Sequence, residues 1–307
     1  MLEIRNLSVW FHTTEGGFAV RDVSMRLPEG RRTVMIGETG SGKSVMLQAI
    51  LRLLPGTAHC SGEVLLDGVN LMELSPRAMR RVRGAGIGYI PQGNGSAMNP
   101  LLRVGFQVGE GLMEHRHLRR RAAMQRAISL LAQFHLGDEA RIARTYPHML
   151  SGGMRQRALI AMGVAANAPV LFADEPTKGL DEARITQVAD TFRGLRQQTL
   201  LCVTHDLGFA RAIADRIAVM YAAAQLEIAD CADFFQNPLH PYAQALLASQ
   251  AENGFACEIG FAPPSASLAD SGCVFSGLCP RRWPRCDQEP PMFDVSGRKV
   301  RCWLYER

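Results

Sequence analysis

A glycine-rich stretch at residues 37–44 constrains the fold more than any other feature of this chain. It follows a compact apolar run at residues 33–36 and opens a helical pattern that continues to about residue 54. Glycines let backbone N–H groups curl around phosphate oxygens without Cβ clashes, and the start of a helix adds positive potential. The stretch matches the phosphate-binding pattern G-x-x-x-x-G-K-[ST], in the strand and helix context that this pattern requires. Its residues are Gly37, Glu38, Thr39, Gly40, Ser41, Gly42, Lys43 and Ser44.

A second motif places two carboxylates about 130 residues after this loop. The apolar residues 170–173 are followed by Asp174 and Glu175. Ligands of α/β proteins bind at the carboxyl ends of parallel strands, so we expect both carboxylates at such an edge. Lys43 is expected to bridge the β- and γ-phosphates of a bound nucleotide, Ser44 to ligate Mg²⁺, and Asp174 to hold Mg²⁺ through water. Glu175 is expected to polarise the water that attacks the γ-phosphate. The two motifs together predict a nucleoside triphosphatase.

The remaining pattern predicts an α/β fold with a mainly parallel sheet and helices on both of its faces. Residues 1–30 predict an N-terminal antiparallel β subdomain, and residues 93–150 predict an inserted helical subdomain. After this insertion the predicted elements alternate: helix 152–166, strand 170–173, helix 182–197, strand 200–204, helix 208–214 and strand 216–220. A short helix is predicted near 241–249.

Bulk properties argue against three classes of protein: secreted, membrane-spanning and nucleic-acid-binding. The first five residues lack the basic and apolar regions of a signal peptide. The most apolar window, 158–173, is interrupted by Asn167 and Pro169 and is shorter than the ~20 residues of a spanning helix, so we expect no bilayer crossing. The net charge of +5 is modest, and the arginine run 119–121 is typical of a solvated helix face rather than a nucleic-acid site.

A third motif, at residues 150–156, offers a second anion site. Ser151 can cap a helix, and Gly152 and Gly153 leave backbone N–H groups accessible. Taken alone, this motif is better explained as an ordinary capped helix.

With this third motif in place, nearly the whole chain resembles the ABC transporter ATPases. Ser151, Gly152, Gly153 and Gln156 match the signature loop of that family. Asp181 in Gly-Leu-Asp resembles the D-loop. Gln92 stands where the family has a glutamine that senses metal and membrane subunits, and His205 matches its switch histidine.

The resemblance implies a head-to-tail pair of ATPases. The signature loop of one subunit would cover the ATP that the phosphate loop of the other holds, and Asp181 would cross the interface. Gln92 would join the Mg²⁺ ligands, and His205 would contact the γ-phosphate. An aromatic residue near the N-terminus often stacks on adenine in this family, and Phe11 is the first candidate. Trp10 and Phe18 are alternatives, and a core role is equally compatible with each of them.

Residues 237–242 and 245–247 resemble the C-terminal element of oligopeptide, dipeptide and nickel importer ATPases. The stretch 99–101 fits the same branch and would face the coupling helices of the membrane subunits. Some residues depart from the usual peptide-importer pattern: the glycine-rich stretch 93–98, Lys178-Gly179, and the alanines at 222–224. Such departures leave nickel, opine or metallophore ligands open as cargo.

Four cysteines lie in the last 35 residues of the sequence, separated by five, six and fifteen residues. This spacing matches neither a zinc ribbon nor a C-x-x-C redox pair, although four thiolates can hold Zn²⁺ or an iron–sulfur cluster. The segment resembles the tail of dipeptide-permease ATPases, which implies a [4Fe–4S] cluster, with Zn²⁺ or free thiols as alternatives. The four residues are Cys273, Cys279, Cys286 and Cys302.

We therefore expect an ABC ATPase domain over residues 1–235 and a C-terminal extension over 236–307. The expected function is ATP hydrolysis that energises import of dipeptides or oligopeptides. The expected partners are a second ATPase, two transmembrane permeases and an extracytoplasmic binding protein, with no nucleic acid. The branch resemblance implies that the second ATPase is a paralogue, with a copy of this chain as the alternative. The expected location is peripheral, on the cytoplasmic face of the inner (plasma) membrane.

Two other functions compete with this one. Soluble ABC ATPases of DNA repair or translation usually carry two cassettes or long coiled-coil inserts, and this chain has a single cassette and a compact 93–150 segment. A catalytically silent partner subunit is disfavoured because Glu175, His205 and Ser151 are all present.

Overall fold

The computed structural model describes residues 1–12, 17–93, 97–195, 198–249 and 272–306. Its strands are β1 Leu2–Phe11, β2 Gly17–Leu27, β3 Arg32–Ile36, β4 Ala58–Leu66, β5 Val69–Asn70, β6 Ile87–Ile90, β7 Val170–Asp174, β8 Thr199–Thr204, β9 Arg216–Tyr221, β10 Ala224–Asp230, β11 Phe293–Val295 and β12 Arg298–Val300. Its α-helices are α1 Lys43–Ile50, α2 Pro76–Arg81, α3 Val104–Arg116, α4 Arg120–Gln133, α5 Glu139–Ile142, α6 Gly152–Val164, α7 Glu182–Gly194, α8 Leu207–Ile213, α9 Cys231–Gln236 and α10 Pro241–Ala248.

The chain forms two compact units. The first contains Met1–Arg26, Thr33–Met72 and His205–Arg307, and the second contains Leu27–Arg32 and Glu73–Thr204. The phosphate loop and the cysteine segment therefore belong to the first unit. The carboxylate motif and the signature motif belong to the second.

The first unit is built on strands in the order β5-β4-β1-β2-β10-β9-β3. β1 runs antiparallel to β4, and β9 runs antiparallel to β10 and parallel to β3. The buried residues of β1 follow the period-2 pattern of a half-buried strand, with an irregularity between Arg5 and Ser8. By contrast, β9 is buried along nearly its whole length, as expected for a strand covered on both faces.

The second unit contains three parallel strands, in which β7 pairs with both β6 and β8. Every residue of β7 and β8 is buried, which agrees with the predicted central strands. Helix α3 packs against α4 and α6. A small residue allows the approach of α3 to α4, since a Cβ on Gly109 would lie only 3.3 Å from Ala123 O in α4.

The C-terminal segment is an integral part of the first unit. Its hairpin β11–β12 adds to the sheet through β12, which runs antiparallel to β10. The guanidinium group of Arg301 donates to Glu289 at 3.0 Å and to the carboxylate of Asp22 at 3.0 Å. Arg21 also pairs with Glu289, and the hydroxyl of Tyr305 donates to Leu239 O at 2.9 Å. The sequence pattern did not predict this hairpin.

The predicted α/β fold with its mainly parallel core sheet is confirmed. Helix α1 ends at Ile50, earlier than predicted, and Arg52 then takes a left-handed φ of 52°. Within the ranges that the structure describes, none of the helices has the length and apolar character that spanning a bilayer demands. Most of the Gly/Pro/Ser-rich stretch 253–272, and residues 94–96 of the glycine-rich stretch 93–98, lie outside those ranges.

Candidate functional site: a nucleotide-binding loop and its associated motifs

The phosphate loop lies flat against neighbouring backbone, where only glycine fits. Gly42 has φ +98°, and a Cβ placed there would lie 1.9 Å from Ala19 O in β2. Gly37 has φ +150°, and a Cβ there would lie 1.9 Å from Met220 O in β9. Both distances are far below van der Waals contact. The two glycines therefore allow the loop to lie directly on β2 and β9.

Lys43 sits inside the cup that the loop forms. Its side chain is buried, and Nζ donates to Gly37 O at 2.8 Å, Glu38 O at 2.6 Å and Ser41 Oγ at 3.2 Å. These carbonyl and hydroxyl oxygens hold the ammonium group inside the loop, where its positive charge suits phosphate oxygens. Ser44 follows as the second residue of α1 and is half-buried, whereas Thr39 and Gly40 are exposed.

The turn between β9 and β10 supports the loop from a second side. The N–H of Ala223 donates to Ser41 O at 3.2 Å, and Ala223 O accepts from the N–H of Arg21 at 2.7 Å. Ala222 and Ala223 have φ of 45° and 66°, in the left-handed region that glycine usually occupies. The two alanines therefore adopt a backbone conformation that glycine favours.

In the second unit, Glu175 is held in a strained and defined position. It has a left-handed φ of 49°, its N–H donates to Val203 O at 2.8 Å, and its Oε2 accepts from the Thr204 hydroxyl at 3.4 Å. Backbone strain of this kind costs about 1–3 kcal/mol and clusters at functional sites. Burial raises the pKa of the Cys202 thiol well above its usual range, and the carboxylates of Glu175 and Asp174 add to that effect.

Three adjacent parallel strands bring predicted residues to one edge of the sheet in the second unit. Ile90 pairs with Ala173, and Asp174 pairs with Val203. Exposed Gln92, buried Asp174 and buried Glu175 therefore follow neighbouring strand ends. The sequence analysis did not identify Thr204 as a partner of Glu175. The available signal was its position at the end of a predicted strand, immediately before His205.

The signature motif forms the predicted capped helix start. Ser151 is the N-cap of α6, and its hydroxyl accepts from the N–H of Met154 at 3.3 Å. Ser151 and Gly152 are exposed. Gln156 is buried, and its Nε2 donates to Pro176 O at 3.0 Å, so its side chain braces the loop after Glu175 instead of facing outward.

The other predicted residues lie at exposed or half-buried positions. Asp181 is the exposed N-cap of α7, and its side chain accepts from the N–H of Arg184 at 2.9 Å. His205 is exposed and follows β8, whereas Phe11 is half-buried at the end of β1.

The two alternative adenine-stacking aromatics contact one another. The rings of Trp10 and Phe18 are 6.1 Å apart, and Trp10 also stacks on His59 at 5.6 Å. Phe11 stays the first prediction for adenine, because Trp10 and Phe18 already share an aromatic contact.

The four C-terminal cysteines occupy one neighbourhood, since the thiols of Cys279, Cys286 and Cys302 act on the pKa of Cys273. Among the described residues, no group of three or more His, Cys, Asp or Glu side chains is arranged to hold a metal ion. Burial raises the pKa of the Cys273 thiol to about 11, and the thiols of Cys302, Cys286 and Cys279 add to this shift. Burial likewise raises the pKa of Cys279 and Cys302. The described residues therefore give no support to the predicted [4Fe–4S] cluster or to Zn²⁺.

Comparisons with known proteins agree with the motifs. A family profile described as "ABC transporter" matches residues 20–178, and one described as "Oligopeptide/dipeptide transporter, C-terminal region" matches residues 226–286. The dipeptide transport ATP-binding protein DppD of Bacillus subtilis is 38% identical over 100% of this chain and 95% of its own length. The oligopeptide transport ATP-binding protein OppD of the same organism is 38% identical over 99% of this chain and 88% of its own.

A solved structure of an ATP-binding cassette is also similar to this chain. The ATP-binding cassette MJ0796, in a dimeric post-hydrolysis state bound to ADP and phosphate, is 28% identical, with a TM-score of 0.69 over 75% of this chain and 99% of the cassette. The predicted resemblance is confirmed: the chain belongs to the ABC transporter family of ATP-binding proteins, within the branch that carries the oligopeptide/dipeptide transporter C-terminal region.

Proposed function

We propose that this chain is the ATP-binding and ATP-hydrolysing subunit of an importer for dipeptides or oligopeptides. The single observation that carries the proposal is the glycine-fixed cup around Lys43, in a chain that also has the C-terminal region of the peptide transporters. The relatives' names associate this architecture with dipeptide and oligopeptide transport and not with DNA repair or translation. Nickel, opine or metallophore cargo has no support among these relatives.

Each motif residue has a proposed role in this reaction. Residues 37–44 bind the phosphates of ATP, and Phe11 stacks on adenine. Ser44, Asp174 and Gln92 hold Mg²⁺, which neutralises charge on the transferring phosphoryl group when it is bound. Acidic and polar oxygens suit a hard cation, and buried Asp174 ends a strand at the correct edge of its sheet.

Hydrolysis itself is assigned to two further side chains. Glu175 accepts a proton from the attacking water, and the Thr204 hydroxyl and the strained backbone hold its carboxylate in place. His205 contacts the γ-phosphate. Exposed Ser151 and Gly152 suit contact with ATP on a partner subunit. Gly153 and Asp181 are proposed to act there as well, and buried Gln156 supports this surface from behind.

The proposed assembly contains a paralogous ATPase, two transmembrane permeases and an extracytoplasmic binding protein. In it, the chain would be peripheral, on the cytoplasmic face of the inner membrane. We also propose that residues 1–235 form the ATPase domain and residues 236–307 the extension. Affinity purification from detergent-solubilised membranes should recover two permeases and a second ATPase. Recovery of nucleic acid without permeases would contradict the proposed assembly.

A [4Fe–4S] cluster at the four C-terminal cysteines is retained only as a proposal, with Zn²⁺ or free thiols as the alternatives. Its support is that the four thiols share one neighbourhood. Iron, sulfide and zinc analysis of anaerobically purified protein distinguishes the three states. About four irons and four sulfides per chain would support the cluster, and metal-free protein would leave free thiols.

The decisive experiment measures ATP hydrolysis by the reconstituted complex, with and without di- and oligopeptides and their binding protein. Glu175→Gln is expected to bind ATP but to hydrolyse it at least ~100-fold more slowly, since a positioned base contributes about 10²–10⁴-fold. Glu114→Gln, at an exposed position in α3, is the matched control and should hydrolyse ATP normally. Hydrolysis by Glu175→Gln at the wild-type rate would contradict the assignment of the base. Stimulation by no peptide would contradict the cargo.

A further inference from the structure

The phosphate loop is tied to the C-terminal part of the first unit through one side chain. The N–H of Glu38, the second residue of the loop, donates to the hydroxyl of Tyr242 at 3.3 Å. Tyr242 lies in the first turn of α10 and is completely buried. This hydrogen bond restricts rotation of the peptide group between Gly37 and Glu38. It therefore fixes the backbone orientation at the start of the phosphate loop.

An aromatic cluster formed by Tyr221, Tyr242 and Phe275 holds this hydroxyl in place. The ring of Tyr242 lies 4.5 Å from Tyr221 and 5.5 Å from Phe275, and Phe275 packs edge-on against Tyr221 at 5.5 Å. All three rings are buried. Phe275 belongs to the cysteine segment, two residues after Cys273. The aromatic cluster therefore joins that segment to the strand end beneath the phosphate loop.

Tyr242 has little freedom to move away from the loop. Its N–H donates to Nδ1 of His240 at 3.0 Å, and the buried carboxylate of Glu227 accepts from the N–H groups of Leu239 and His240 at 3.0 and 2.8 Å. These contacts fix the start of α10. Burial raises the pKa of Tyr242 above its usual range, and the nearby carboxylate of Glu38 adds to the shift, so the hydroxyl stays neutral at ordinary pH.

We propose that Tyr242 is a positioning residue of the nucleotide site, whose hydroxyl anchors the phosphate loop at Glu38, and that the cysteine segment holds this hydroxyl in place through Phe275. The proposal rests on the proposed function, because it assumes that residues 37–44 bind ATP. Its consequence is a reciprocal coupling: a change in the packing of the segment alters nucleotide affinity, and nucleotide binding stabilises the segment by the same factor.

The first test compares two Tyr→Phe changes that keep both rings and differ only in the hydroxyl removed. Tyr242→Phe leaves the half-buried N–H of Glu38 without this acceptor, which should weaken ATP binding about 2- to 10-fold. The Tyr221 hydroxyl is buried and makes no hydrogen bond among the described residues, so Tyr221→Phe should leave affinity unchanged. Affinity is measured by titrating the purified full-length chain with a fluorescent ATP analogue, and thermal unfolding verifies that both variants fold.

The second test examines the coupling. Phe275→Leu should weaken ATP binding about 2- to 10-fold, and its effect should be non-additive with that of Tyr242→Phe, because both changes loosen one anchor. ATP should also slow alkylation of Cys273 in the wild type, and less so in Tyr242→Phe. A merely structural tyrosine would leave this protection intact.

Two outcomes separate the inference from the function on which it rests. Lys43→Ala should abolish ATP binding in the same titration. If it does, and Tyr242→Phe binds ATP as tightly as Tyr221→Phe, the anchoring role is wrong while the proposed function stands. If wild-type protein binds no ATP, the proposed function fails, and the anchoring role fails with it.

Discussion

The buried ion pair between Glu227 and Arg298 offers a sharp test of how the C-terminal hairpin is held. The carboxylate of Glu227 on β10 is 0% exposed, and the side chain of Arg298 on β12 is 13% exposed. Arg298 Nη2 donates to Glu227 at 2.9 Å and to Asn237 O at 2.6 Å. We consider Arg298→Met, which keeps most of the apolar stem and removes the charge.

The expected loss of stability depends on the hydrogen bonds that Glu227 retains in Arg298→Met. Removing one partner of a buried ion pair costs about 3–5 kcal/mol, because the remaining charge is left uncompensated. Here the N–H groups of Leu239 and His240 still donate to the carboxylate, and Arg298 itself is not completely buried. We therefore expect a loss of about 2–4 kcal/mol, which lowers the melting temperature by about 3–6 °C in a chain of this size.

Thermal and urea unfolding of the purified chain measure this loss. Arg193→Met is the matched control, because Arg193 and Asp190 form an exposed pair with side chains 47% and 65% exposed, which should contribute at most ~1 kcal/mol. Adding Glu227→Gln to Arg298→Met should recover part of the lost stability, because it removes the buried carboxylate charge that no longer has an arginine partner. The reasoning is refuted if Arg298→Met is no less stable than Arg193→Met, or if the second change lowers stability further.

Three further predictions concern single sites. Ala223→Gly should stabilise the protein by about 0.5–1 kcal/mol, measured by urea unfolding, because glycine tolerates the φ of 66° that strains alanine; a loss of stability would contradict this account. Burial lowers the pKa of His240 to about 3, so below about pH 6.5 the unfolded chain binds a proton that the folded chain does not. Stability should therefore fall by up to about 1.4 kcal/mol per pH unit as the pH drops from about 6.5 toward 3. Urea unfolding midpoints measured across this range should depend less on pH in His240→Asn. Gly42→Ala should weaken ATP binding more than ~10-fold, since its Cβ would lie 1.9 Å from Ala19 O, whereas Gly194→Ala, with nothing within 4 Å, should bind ATP normally.

Local signals in the sequence predicted much of the fold. The continuous apolar runs before Asp174 and His205 became fully buried strands, because parallel strands covered on both faces need no alternation. Side-chain capping also placed the helix starts at Ser151 and Asp181 close to their predicted positions. Each of these signals is contained within a few consecutive residues.

Contacts between distant residues could not be predicted in this way. The hydrogen bond from Glu38 to Tyr242 spans 204 positions, and the pair of Arg301 and Asp22 spans 279. A single sequence carries no periodicity that links such positions. The burial of Gln156 was also missed, because the motif alone does not reveal which face of α6 is covered.

The strand pairing of β12 has a consequence for how the chain folds during synthesis. Glu227 pairs with Val300, and the N–H of Arg301 donates to Leu226 O at 2.8 Å. Until residue 301 has left the ribosome, the backbone groups of β10 that await this partner stay open to pairing with another nascent chain. A ribosome that stalls before this point would therefore release a product that tends to aggregate, even though every nucleotide-binding motif had already been made.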